Sequence, residues 1–193
     1  MEKHFKPTGE TISHDEVILH RIQATKDLPH HNVKAGDLGG FIEKRRNLQD
    51  DAWVNNDARV YGDAVVSGQA QVYGSAKIYD NAMVFGDAIV SDRAQIYGNA
   101  KVHWCSRIYD DARVYGNAIV NGQVQIYNDA AVFDDAVVSS SAQVYGQAQV
   151  YGDTLVYCNA RIYDNARVYD QAIIYGQAKV CGNASIGGRR EIG

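Results

Sequence analysis

From Asp51 onward a branched aliphatic residue returns every six positions, and an alanine stands two residues before nearly every one. Framed in sixes from Asp51 to Gly188, the chain keeps this register for 23 hexads without insertion or deletion. Position four is Val or Ile in all 23, from Val54 to Ile186. Position two is Ala in 20, the exceptions being Ser106, Val124 and Thr154. Positions three and five are mostly polar or aromatic. Ala inward, polar outward, Val inward, Tyr outward is the two-residue alternation of a short strand. Such spacing never traces the 3.6-residue stripe of a helix, and β-branched side chains favour strands. Position six is Gly, Asn or Asp in 20 of 23, the residue types that best tolerate positive φ. Each hexad therefore predicts a short strand and a corner.

Hexads such as "DARVYGDAVVSGQAQVYG", residues 57–74, resemble the hexapeptide-repeat family of left-handed parallel β-helices. The resemblance implies an all-β fold: a single-stranded left-handed parallel β-helix, a triangular prism of about eight coils of 18 residues. Left-handed crossovers are otherwise rare, so the hand comes from the resemblance alone. A core of Val, Ile and Ala leaves no room for an internal ligand. Function must then lie on an outer face, at an end or between subunits. The leading stretch "LHRIQATKDLPHHNVKAGDLGGFIEKRRNLQDDAWV", residues 19–54, is similar to the N-terminal region of YdcK-like hexapeptide proteins. Ile42 and Leu48 already occupy position four, so coiling is expected to begin near Gly39. Residues 39–193 would form the β-helix. Residues 1–38, with Phe5, Ile12, Val17, Ile18, Leu19 and Ile22, would form an N-terminal β-rich cap over its exposed edge. Ile192 keeps position four at the other end, which is expected to be open or paired with another subunit.

A lap of three hexads assigns every third hexad to one face, and the outward residues then separate. The first face carries Tyr61, Tyr79, Tyr97, Tyr115, Phe133, Tyr151 and Tyr169, an unbroken aromatic ladder at position five. Stacked rings of this kind stabilise neighbouring rungs, and with Arg59, Arg113 and Arg167 alongside they could also grip planar ligands. The second face carries Trp53, Gln71, Ile89, Arg107, Gln125, Gln143, Arg161 and Lys179 at position three, with Tyr73, Tyr109, Tyr127, Tyr145 and Tyr163 at position five, and reads as amphipathic and solvent-facing. The third face presents Val65, Met83, Lys101, Ile119, Val137, Leu155 and Ile173 at position three, with Phe85, Tyr157 and Tyr175 among its position-five residues. Outward apolar residues in register mark a covered surface. Either the N-terminal arm lies across this stripe or another copy does; a homo-oligomer, dimer or trimer, is the expectation, with Val65, Met83, Phe85, Ile119, Val137, Leu155, Tyr157, Ile173 and Tyr175 at the interface.

Charge and cysteine usage narrow the classes further. A net charge of −4 and a pI near 5.8 give no basic footprint, so nucleic acid is not an expected partner. Cys105, Cys158 and Cys181 form no CxxC pair and suit free thiols in the cytoplasm. The N-terminus has no long apolar run, so neither a signal peptide nor a membrane span is expected.

The irregularities gather at one place. Position six departs from Gly, Asn or Asp only at Trp104, Ser140 and Cys158, each following a third-face strand. A Trp or Cys at a positive-φ corner costs stability unless the corner has changed shape. "KVHWCSRIY", residues 101–109, is the largest break and holds His103, the one histidine within the hexads. Lys101, His103, Trp104, Cys105 and Arg107 are therefore the candidate binding residues, supplying charge and stacking.

Hexapeptide-repeat acyltransferases place a catalytic His at a subunit seam beside a loop extruded from the coils; this chain offers His103 as the base but no extruded loop. Related γ-class carbonic anhydrases hold zinc through three coil histidines, and only His103 lies in these coils, so no metal site is assigned. His30 and His31 in "LPHHN" read as a surface loop. A Cys105–His103 dyad needs hydrogen-bond reach and an oxyanion donor. No Walker-type loop or GxGxxG occurs, and no cofactor is expected. The leading expectation is a non-catalytic binding or scaffold protein, using a small-molecule or protein ligand on an outer face or seam. The alternatives are an acyltransferase-like enzyme with His103 as base, and a protein sequestering a small polar or nucleotide-like ligand between subunits.

Overall fold

A computed structural model describes residues 3–193. From Trp53 onward each hexad contributes one two-residue strand at positions three and four. Each strand pairs in parallel with the strands 18 residues away, as Arg59–Val60 pairs with Lys77–Ile78 and that strand with Gln95–Ile96. The chain thus winds into an all-β parallel solenoid of about eight laps, bounded by three parallel sheets. Every position-two and position-four side chain from Ala52 to Ile174 is fully buried, which is the alternation foreseen. Burial of each such Val or Ile contributes about 1.5–3 kcal/mol, repeated at every rung. Two hydroxyls stand in the alanine column. Ser106 Oγ donates to the His103 carbonyl at 2.8 Å and Thr154 Oγ1 to the Tyr151 carbonyl at 2.5 Å, so neither is left unpaired.

All 23 position-six residues adopt positive φ. The division of labour between Gly and Asp at these corners has a physical reason. A corner Asp or Asn sends its side-chain oxygen to the backbone N–H one lap on, as Asp80 does to Gly98 (3.1 Å) and Asp164 to Gly182 (2.9 Å). At position one, Asn81, Asn99, Asn117 and Asp135 form a second ladder, each amide donating to the next residue's oxygen at 3.0–3.1 Å. Trp104, Ser140 and Cys158 take φ of 59°, 62° and 62°, so these corners keep the common shape. Of the two outcomes open at these corners, a changed shape or a cost in stability, the structure shows the second. Backbone neighbours fix the turn, and the strain, of order 1 kcal/mol or more each, stays in place.

Strands β1 (Phe5–His14), β2 (Val17–Ala24) and β3 (Leu38–Ile42) precede the laps. β1 and β2 form an antiparallel hairpin whose tip residues Asp15 and Glu16 both take positive φ, and β2 pairs antiparallel with β3. β3 then pairs in parallel with Arg59–Val60, so the switch from hairpin to coil occurs on this one strand. The hairpin therefore extends the first sheet. Its tip lies against the aromatic ladder: His14 meets the Tyr61 ring edge-on at 5.3 Å, and Arg59 donates to His14 Nδ1 at 3.0 Å. Of the two occupants considered for the third face, the arm is thus placed elsewhere.

The first lap has carbonyls with no strand before them, and the leading segment supplies donors. Lys3 Nζ donates to Leu48 O, His4 Nε2 to Ala52 O (both 2.8 Å) and His31 Nε2 to Asp51 O (2.6 Å). Burial pushes the His4 pKa below its ordinary value, so the ring is a neutral donor near pH 7. Phe5, Ile22, Leu28 and Val33 join the same apolar cluster as the first lap's Ile42, Leu48 and Val54.

Candidate functional site

The 101–109 segment turns a corner, and its five candidate residues divide across it. Lys101 lies on the third-face strand Lys101–Val102 and Arg107 on the second-face strand Arg107–Ile108. Trp104 stands on the ridge between them, 66% exposed. In its corner column it is flanked by Gly86 below and Gly122 above. Cys105 is exposed beside it on the second-face side.

His103 is half-buried and stacks on Phe85, with ring centres 4.7 Å apart and planes within 3°. Burial, then the Lys101 ammonium, push its pKa below the usual histidine value. No side-chain hydrogen bond orients the ring among the described residues, and none joins it to Cys105. The structure brings Cys105 and Arg107 together on one side of the ridge and leaves Lys101 and His103 on the other.

The second face is less flat than its sequence suggests. Trp53, at its head, is buried against the leading segment. Further along, Cys105, Gln123, Ser141 and Asn159 form one column and Arg107, Gln125, Gln143 and Arg161 the next. Between them runs a polar groove of about 520 Å³ with an arginine at each end. Beside it Tyr109, Tyr127, Tyr145 and Tyr163 stack at 4.9–5.0 Å with planes within 4°.

The first-face ladder is continuous from Tyr61 to Tyr169, with spacings of 4.8–5.4 Å. Burial raises the Tyr61 pKa out of the ordinary range and that of Tyr79 to about 12. These phenols are structural at neutral pH, not acids or bases.

The third face carries apolar side chains at six of seven rungs in register, interrupted by the exposed Lys101. Met83 and Leu155 are each 39% exposed, and Val65, Ile119, Val137 and Ile173 are half-buried. Tyr157 stacks on Tyr175 at 5.6 Å, as Phe85 does on His103, so the stripe is bordered by rings.

Four stretches of the chain, residues 58–74, 76–92, 106–123 and 160–176, match the model of the YdcK beta-solenoid repeat. Over these four laps the chain is similar to YdcK-type β-solenoids. Each matched stretch spans one lap, and the two earlier ones start on the first face while the two later ones start on the second. The repeat model thus matches laps that begin on either of two faces. No curated protein matches the chain. Among the described residues no helix is long and apolar enough to cross a membrane, and no group of three or more His, Cys, Asp or Glu is placed to hold a metal ion.

Hexad-by-hexad reading missed two features of this solenoid. The corner Asp and Asn oxygens serve the next lap rather than only tolerating the turn. The second-face tyrosine column is also interrupted, at Ser91. Both could be found by comparing residues 18 apart.

Proposed function

We propose that this chain is a non-catalytic scaffold that works from its outer surface and pairs with a second copy of itself through the third face. The observation that carries the reading is the in-register apolar stripe with Met83 and Leu155 well exposed. The hairpin, the other candidate cover, lies on the first sheet. The stripe repeats one height per rung on both sides of Lys101, so a twofold-related copy can meet its apolar rungs in register. His103 supports the same reading, since it packs on Phe85 without the orienting partner that a general base uses. The unpaired Cys105, Cys158 and Cys181 suit a reducing cytoplasm.

Light scattering coupled to gel filtration tests this. The wild-type chain is expected at twice its 21.3 kDa mass or more. The Met83→Lys, Leu155→Lys double variant is expected at the single-chain mass with unchanged circular dichroism. A wild type that runs as a monomer at tens of micromolar would overturn the proposal.

A further inference from the structure

On the second face, position five reads Tyr73, Ser91, Tyr109, Tyr127, Tyr145, Tyr163. The column is a ring ladder with one ring missing. Tyr109 and Tyr127 stand 5.0 Å apart and Tyr127 and Tyr145 4.9 Å apart, so Tyr127 fills a space two rungs wide. The strands that carry Tyr73 and Tyr109 lie two spacings apart, about 9.6 Å, with the Ser91 rung between them. Ser91 places no ring there. Its side chain is buried at the base, donating to Asp92 Oδ2 at 2.7 Å. Tyr73 is 38% exposed and has no stacked neighbour among the described residues.

The opening is a slot of about 360 Å³, floored by Ser91, Ile89 and Ile108 and walled by Tyr73 and Tyr109. Its two flanks differ in charge. Arg107, at position three, lines the side that precedes the column, and Asp92, at position six, lines the side that follows it. Arg107 forms no ion pair among the described residues, so its guanidinium is free to meet an anion. Gln125 lies on the same side.

We propose that this slot binds a single-ring aromatic acid. Its ring replaces the missing rung between Tyr73 and Tyr109, its carboxylate meets Arg107, and a hydroxyl or amino group on the far edge donates to Asp92. A ring sandwiched between two tyrosines gains both faces of stacking, each aromatic pair being worth about 0.5–1.5 kcal/mol beyond burial. A neutral or cationic ring lacks the Arg107 contact, and a second anion on the far edge would meet Asp92. The slot belongs to the second face, so it stands or falls independently of pairing through the third.

Isothermal titration of the full chain with 4-hydroxybenzoate tests the proposal. Saturable one-to-one binding is expected, with 4-hydroxybenzyl alcohol weaker. Ser91→Tyr restores the missing rung with the residue its own column uses, so the fold is retained while affinity falls about tenfold or more, as loss of both stacking faces implies. Arg107→Gln, which copies Gln125, should weaken the acid about fivefold and leave the alcohol unchanged. Circular dichroism and melting temperature, followed in parallel, report the fold. Absence of saturable binding at millimolar ligand, or equal affinity in Ser91→Tyr, would overturn the slot. Equal affinity for acid and alcohol would overturn the charge assignment.

Discussion

The Ile126→Asp variant is expected to lose cooperative β-structure in the middle of the array, with the chain recovered largely as aggregate at 37 °C. Ile126 is fully buried and pairs with Ile108 one lap before and Val144 one lap after. Removing the branched side chain alone costs about 2–5 kcal/mol, by analogy with buried Ile→Ala changes. A carboxylate adds several kcal/mol, either as an unpaired buried charge or as the cost of protonating it. The sum rivals the whole stability of an ordinary domain, about 5–15 kcal/mol. In a solenoid each lap touches only its neighbours, so a failed lap divides the array and exposes two unpaired edges. Ile126→Val, by contrast, should cost about 0.5–1.5 kcal/mol and keep the fold. Thermal melts followed by circular dichroism distinguish the two. An Ile126→Asp chain melting within a few degrees of wild type would place residue 126 outside the core.

The second large effect is expected at the start of the coil. A Cβ at Gly40 would lie 2.6 Å from the Ala58 carbonyl oxygen and 2.7 Å from Val54 Cγ1. One at Gly39 would lie 2.6 Å from both Val54 O and Ile22 Cγ1. The backbone here is squeezed between the leading segment and the first lap, and no flexible side-chain end can move aside. Gly40→Ala should therefore cost about 3 kcal/mol, the upper end of overpacking effects, even though its alanine matches position two elsewhere. The damage should stay local. Hydrogen exchange is expected to quicken across residues 3–54 while Arg113–Val114 and Gln149–Val150 keep their protection. Uniform protection across the whole chain would contradict it.

Much of this fold is written in single residues. The Ala and Val columns specify what points inward, because a two-residue alternation locked to a six-residue return has one solution. The tyrosine ladders follow once residues 18 apart are placed on one face. The hairpin's site was not legible, since β1, β2 and β3 pair antiparallel outside the hexad frame and nothing in their alternation names a face. Trp104 was misleading for a different reason. An indole at position six suggests a changed turn, yet pairing on both sides holds its φ at 59°. The candidate cluster at 101–109 was contiguous in sequence but split by the corner it contains. The Ser91 slot lay in plain view as one short residue in a tyrosine column. It becomes a cavity only when Tyr73 and Tyr109 are seen as walls.

All of these placements depend on one lap containing 18 residues. Pulsed electron–electron spin resonance measures that lap directly, with labels on Gln71→Cys and Arg161→Cys after Cys105, Cys158 and Cys181 are replaced by serine. Both sites lie at position three of the second face, five laps apart. Spin dilution with unlabelled protein removes distances between copies. A single narrow distance near 24 Å, five strand spacings of about 4.8 Å, is the expected result. A broad distribution, or a peak beyond about 35 Å, would contradict the 18-residue lap.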